Sequence, residues 1–232
     1  MSADMSGRSK GMVRKLSEFI VLIKGGGEVA SGIAHRLHRS HFKVCLTEVV
    51  NPLAVSRGTT FSEAVFDGTK VIEGVRAELV SSSPEEIYKV WRQGNIPIVI
   101  DPEVSVKEKI QLDVLVDATM AKRNTGTKIT DAPLVIGVGP GFYAGRDVHM
   151  VIESNHSNNL GGIILEGEGE KDTTTLRRGL AESLFPEQLS ILCSLGNNYL
   201  FCYVVRGDII LLNFNWAGRY RLACLLTVEV FE

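Results

Sequence analysis

The chain has 232 residues and a net charge of −2, with 44% hydrophobic and 22% charged residues. Those values fit a globular protein with a real core, and the near-neutral balance steers it toward neither nucleic acid nor an anionic membrane surface. No apolar run approaches the roughly 18 residues a membrane span needs. The four cysteines include no C-x-x-C pair, which excludes a zinc finger or a disulfide scaffold and makes a reducing cytoplasm the expected setting.

Residues 1–18 carry Arg8, Lys10, Arg14 and Lys15 but no apolar segment, and read as a disordered leader, not a signal peptide. The apolar run Phe19 to Ile23 then stops at Lys24 and three glycines, and a helix-forming stretch starts directly after them, from Glu28 to about Arg39. Val29, Ile33 and Leu37 recur every four residues as its buried stripe. The spacing fits G-x-G-x-x-G/A, with Gly25, Gly27 and Ala30 in the three slots and Gly26 and Glu28 beside them. Gly25 permits the turn, Gly27 lets a bound group approach the backbone, and Ala30 lets the helix pack on the strand. The first helical amides have no intrahelical partner and the helix dipole adds positive charge there, which makes an anion site. Phe42 to Glu48 forms the second strand, and Glu48 lies 23 positions after Gly25. That is near where an acid holding ribose hydroxyls is expected. Strand, helix and strand in about thirty residues make a βαβ unit, hence a parallel sheet.

After Asn51-Pro52, residues 59–66 suit a short helix, and Lys70–Glu73 and Val75–Val80 suit extended segments. This region reads as an insertion on the ligand side of the sheet, where Arg57 either reaches a phosphate or is a solvated surface side chain. Ser83-Pro84-Glu85-Glu86 is a helix start: a capping residue, proline at the first helical position, then acids. Ile96–Ile100, a short helix over about Val104–Ile110, Leu112–Asp117 and Pro133–Val138 follow, their continuous apolar runs suiting strands covered on both faces. Lys122, Arg123 and Asn124 fall after a strand's carboxyl end, where ligands of open α/β sheets bind; a solvated loop is the competing reading. Gly139-Pro140-Gly141-Phe142 is a second glycine-rich turn at a carboxyl end. Asp147 to Glu153 alternates, with Asp147, His149 and Glu153 on one face. An Asp, a His and a Glu on one strand face suit either holding a metal or shuttling a proton, with Asp147 and His149 the catalytic candidates. The plainer reading is the polar side of a half-exposed strand; no metal site is assigned.

Taken together, Ile23–Leu37, Phe61–Val65, Val116–Ala118 with Asp131–Gly137, and Gly139–Phe142 with Ala144-Gly145 and Asp147–Glu153 resemble the YqeB family. These are accessory proteins of selenium-dependent molybdenum hydroxylases, distantly related to the Rossmann domain of XdhC-type maturation factors. The resemblance implies a cytoplasmic maturation factor whose partner is a molybdenum hydroxylase or its assembly machinery, and which handles a cofactor nucleotide or delivers sulfur or selenium. Two departures stand out. Arg57-Gly58 replaces an expected pair of arginines, and Asn155–Asn159 stands where Arg-Gly-His is expected.

The sequence is therefore read as an α/β, Rossmann-like domain over 19–170, a mostly parallel sheet with flanking helices, and an atypical tail over 171–232. All eleven lysines lie at or before Lys171, and Cys193, Cys202 and Cys224 lie beyond it. The tail is either a frame-shifted product starting near Asp172–Arg178 or a diverged β-module with strands near Tyr199–Val205, Asp208–Asn213 and Arg219–Glu229. The expected ligand is nucleotide-type, NAD-like or a molybdopterin dinucleotide, held by Gly25, Gly26, Gly27, Glu28, Ala30, Glu48, Asn124, Gly139 and Gly141. The alternatives are an NAD-dependent oxidoreductase and a non-catalytic nucleotide-binding module; a homodimer is left open. No Tyr-x-x-x-Lys pair supports the oxidoreductase, since Tyr88 and Tyr143 are followed at that spacing by Arg92 and Asp147.

Overall fold

A computed structural model of the chain describes residues 14–54, 56–154 and 160–170, and the backbone of five strands between 188 and 226. Of the expected leader only 14–18 are described. There Arg14 donates to both carboxylate oxygens of Asp113 at 2.6 and 3.0 Å and lies 4.3 Å above the Phe19 ring. These residues are tied to the domain rather than disordered.

In chain order the domain comprises β1 (Ile20–Lys24), α1 (Glu28–Arg39), β2 (Lys43–Glu48), α2 (Ala64–Asp67), β3 (Thr69–Ile72), β4 (Val75–Val80), α3 (Pro84–Arg92), β5 (Ile96–Ile100), β6 (Val114–Asp117), β7 (Leu134–Val138), β8 (Tyr143–Ala144), β9 (Met150–Ile152), β10 (Ile163–Ile164) and β11 (Gly167–Glu168). Nine strands form one sheet in the order β10-β9-β7-β6-β1-β2-β5-β4-β3. Neighbours from β9 to β4 are parallel, and only the two edge strands run antiparallel.

Every residue of β1 and β7 is buried, which explains why their sequences read as unbroken apolar runs. The alternation of side chains sends Val21 and Ile23 to one face and Ile20 and Leu22 to the other. The first face receives Ile33 and Leu37 of α1 together with Phe61 and Ala64. The second receives Ile87 of α3, Val106, Ile110 and Phe142. Each such large apolar side chain contributes about 1.5–3 kcal/mol when fully buried, so the two clusters fix which helix lies on which face.

Three local expectations change. The extended segments after β2 join the main sheet: β4 pairs parallel with β5, and β3 folds back on β4 as the edge. The segment after β5 is not α-helical but a 3-10 turn, Ser105–Glu108, anchored where Asp101 accepts from Val106 N at 2.7 Å and Ser105 Oγ at 2.9 Å. The stretch from Asp147 to Glu153 is not a half-exposed strand. Only 150–152 are in β9, all three are buried, and Glu153 is 2% exposed.

In the tail, β12 (Gln188–Leu195), β13 (Asn198–Val205), β14 (Asp208–Asn215) and β15 (Arg219–Arg221) make an antiparallel sheet, and β16 (Leu225–Leu226) pairs with β14. Two expected strands coincide with β13 and β14; the third is split into β15 and β16. Asp172–Arg178, Cys224 and Asn155–Asn159 lie outside the described residues.

Candidate functional site

The carboxyl ends of β1 and β6 lie side by side, with Lys24 opposite Asp117. From here the chain runs out to β2 on one side and β6 continues on the other, so this is the switch point of the sheet, where open α/β folds bind ligands.

The three glycines after β1 have three different surroundings. Gly25 has φ +102°, donates its N–H to Thr47 O at 2.8 Å, and a Cβ on it would meet Ala118 O at 3.3 Å. Gly26 donates to Glu48 Oε1 at 2.7 Å, and a Cβ there would lie 3.0 Å from Glu48 Cγ and 3.3 Å from Ser62. Gly27 is the N-cap of α1, and a Cβ on it would meet nothing within 4 Å. Among the described residues, nothing accepts from the amides of Gly27, Glu28, Val29 or Ala30; the first helical bond runs from Ser31 N to Gly27 O at 2.8 Å. Ala30 is fully buried in the cluster that holds Phe61, so the third slot is a packing position.

Glu48 ends β2 and turns its carboxylate onto the glycine turn. Oε1 accepts from Gly26 N and Oε2 from Val49 N, both at 2.7 Å. Burial raises its pKa, and the two backbone donors oppose that shift without cancelling it. The protein's own acid thus holds the Gly26 amide, and those from Gly27 to Ala30 have no described acceptor. Glu28 faces its own chain, accepting from Ser56 N at 2.7 Å. Ser31 Oγ donates to Gly26 O at 2.9 Å and accepts from Phe61 N at 2.8 Å, while Ser62 N donates to Gly26 O at 2.9 Å. These bonds strap residues 56–62 alongside the turn. Arg57 is turned to Glu63, two bonds at 2.7 Å, and lies 4.6 Å over the Phe66 ring.

Beneath the turn lies a buried polar cluster that the sequence reading passed over. Lys24 Nζ is 3.4 Å from Asp117 Oδ2 and 2.8 Å from Thr125 Oγ1. Asp117 also accepts from Thr127 Oγ1 at 2.5 Å and Thr119 Oγ1 at 2.8 Å. Lys24 is 8% exposed and Asp117 0%, and charges so buried persist only when paired and hydrogen-bonded. The signal was present: each residue ends an apolar strand, in adjacent register.

The other sequence candidates are placed differently. Asn124 folds its own loop, accepting from Gly126 N at 2.9 Å and Thr127 N at 2.8 Å and donating to Thr127 O at 2.8 Å. Gly139 and Gly141 do sit at the same carboxyl rim, but protein fills the space beside them. A Cβ would meet Ser154 Oγ at 2.7 Å at the first and the Arg123 backbone at 2.5 Å at the second. Asp147 closes a turn, accepting from Tyr143 N at 3.0 Å and Arg146 Nε at 2.9 Å. His149 Nδ1 accepts from Val135 N at 2.9 Å, three strands from β1 and short of the carboxyl rim, and burial lowers its pKa. The structure therefore brings together Gly25, Gly26, Gly27, Glu28, Ala30 and Glu48, and leaves Asp147 and His149 elsewhere. Cys45 is fully buried on the face of α3, with its thiol pKa pushed far up by burial. No helix among the described residues is long and apolar enough to cross a membrane.

A parallel sheet with helices on both faces and a glycine turn opening α1 defines an α/β protein of Rossmann-like type. The chain is 42% identical, over 154 residues, to a protein of Escherichia coli (strain K12) described as uncharacterized protein YqeB. That match covers 66% of this chain and supports a YqeB-family assignment for the matched part. The chain spans 28% of the length of that relative. No family model and no solved structure matches.

Proposed function

We propose that the chain binds a nucleotide-type ligand at the α1 turn and serves as a cytoplasmic accessory factor in the maturation of a selenium-dependent molybdenum hydroxylase. One observation carries the binding reading: Gly27 faces open space while the four amides from Gly27 to Ala30 have no described acceptor. A phosphate there gains several N–H donors and the positive end of the helix dipole. Glu48, one strand away, discourages a second negative charge near the ribose and favours free hydroxyls over a 2′-phosphate. The maturation role comes from the family resemblance.

The oxidoreductase alternative requires an acid or base near the bound ligand. Its candidates, Asp147 and His149, are engaged elsewhere, so we do not adopt it.

Calorimetry against NAD, FAD, CTP, GTP and molybdopterin dinucleotides tests the binding. At least one of them should bind the parent protein, and Gly27→Val should weaken that interaction at least tenfold by filling the phosphate space; equal affinities would remove the turn from the site. Glu48→Arg should shift preference toward 2′-phosphorylated ligands. The maturation role is tested in a deletion strain: the molybdenum hydroxylase should lose activity while its protein level holds.

A further inference from the structure

A cavity of about 450 Å³ lies at the carboxyl ends of β4 and β5, lined by Val80, Ser81, Ser82, Glu86, Val99 and Ile100. Small-molecule sites combine mostly apolar walls with a few placed polar groups; this hollow is open to solvent, with Val80, Val99 and Ile100 as its apolar wall and Ser81, Ser82 and Glu86 as its polar end. Its position relates it to the glycine turn. Ile100 is the register partner of Glu48, and Val99 pairs with both Thr47 and Val80. At roughly 4.8 Å per strand, β5 lies about 10 Å from β1 along the same rim, within reach of the base of a nucleotide whose phosphate rests on α1. Ile100 remains 39% exposed although it is large and apolar.

The polar end is asymmetric. Glu86 Oε2 accepts from both Ser81 N at 2.8 Å and Ser81 Oγ at 2.7 Å. No described residue donates to Oε1. The two Ser81 donors also lower the pKa of Glu86. Ser82 Oγ is already taken by Lys109 Nζ at 2.8 Å. A carboxylate with one pinned oxygen and one vacant oxygen, beside apolar walls, suits a flat heterocycle that carries an N–H₂ group.

We infer that this cavity is the base subsite for the nucleotide of the preceding section, specific for an aminated heterocycle whose exocyclic amine donates to Glu86 Oε1. The inference rests on that binding reading and adds the ring class and the side chain that selects it. Adenine, cytosine, guanine and a pterin carry such an amine; hypoxanthine does not. Losing the amine removes a hydrogen bond to a charged acceptor and should cost about tenfold in affinity.

The test titrates ADP and IDP by calorimetry into the parent protein, Glu86→Gln, Ile100→Trp and Gly27→Val. The parent should prefer ADP by about tenfold. Glu86→Gln should bring that ratio close to one, because its amide accepts from the ADP amine or donates to the IDP oxo oxygen and so raises IDP affinity. Ile100→Trp should weaken both by narrowing the cavity, and Gly27→Val should weaken both with the ratio kept. Equal affinity of the parent for ADP and IDP, or an unchanged preference in Glu86→Gln, overturns the base subsite even if Gly27→Val behaves as expected. Full binding by Gly27→Val, with the ADP preference still lost in Glu86→Gln, instead overturns the turn as the phosphate site.

Discussion

Gly25 is held twice, by a positive φ and by the Ala118 backbone. Gly25→Ala should therefore destabilise by about 1–2 kcal/mol or more, read as a lower urea midpoint with an unchanged slope. Glu48 lends itself to a pH measurement. Its pKa is raised above the ordinary 4.5 by burial, so its protonated form is favoured in the folded state. Its contribution to stability is then fullest below the unfolded value and declines as pH rises through the raised folded value. The stability difference between parent and Glu48→Gln should shift against the parent across that window, and a flat difference would show that the carboxylate is not held as described. Thr47 gives the opposite kind of test. Its Oγ1 is buried with no described partner and the residue is 1% exposed. Thr47→Val removes an unmet polar atom without changing shape, so stability should hold or rise by up to about 1 kcal/mol.

At the scale of elements, the strap over 56–62 depends on Ser31, whose hydroxyl bridges Gly26 O and Phe61 N. Ser31→Ala leaves Phe61 N without an acceptor, while Gly26 O keeps Ser62 N, at a cost of about 1–3 kcal/mol. Hydrogen exchange should quicken at Phe61 before it does in β1. Much of this layer was legible in the sequence. The glycine turn, α1, α3 with its Ser83 cap, and the buried parallel strands follow from local periodicity and capping chemistry. What was not legible is tertiary. Nothing in the sequence around Val75–Val80 says that it pairs with β5, because a strand's partner is chosen over long range. Asp147 and His149 alternate as a strand face would, yet one closes a turn against Tyr143 N and the other accepts from Val135 N. The first is a four-residue turn bond and the second reaches 14 residues back along the chain, and neither leaves a period in the sequence. Gly139 and Gly141 read as bare backbone for a ligand, but loop 120–123 fills that space.

Across the whole molecule, the nine-stranded sheet gathers β1, β2, β5 and β6 so that their carboxyl ends share one rim. The Lys24–Asp117 pair braces it from below. Removing one partner should cost about 3–5 kcal/mol by leaving a buried charge alone, whereas replacing both by apolar residues of similar volume should cost far less; comparing the single and double replacements by denaturation checks this. Above that brace, the amides that follow Gly26 are the proposed dock for a nucleotide phosphate. Amide chemical shifts in ¹⁵N-labelled protein report those groups one by one. Titration with ADP should move the signals of Gly27, Glu28, Val29 and Ala30 together and saturably, while His149 and Val135 stay still. Unmoved signals from Gly27 to Ala30 at saturating ADP, or shifts confined to residues away from the turn, would contradict it.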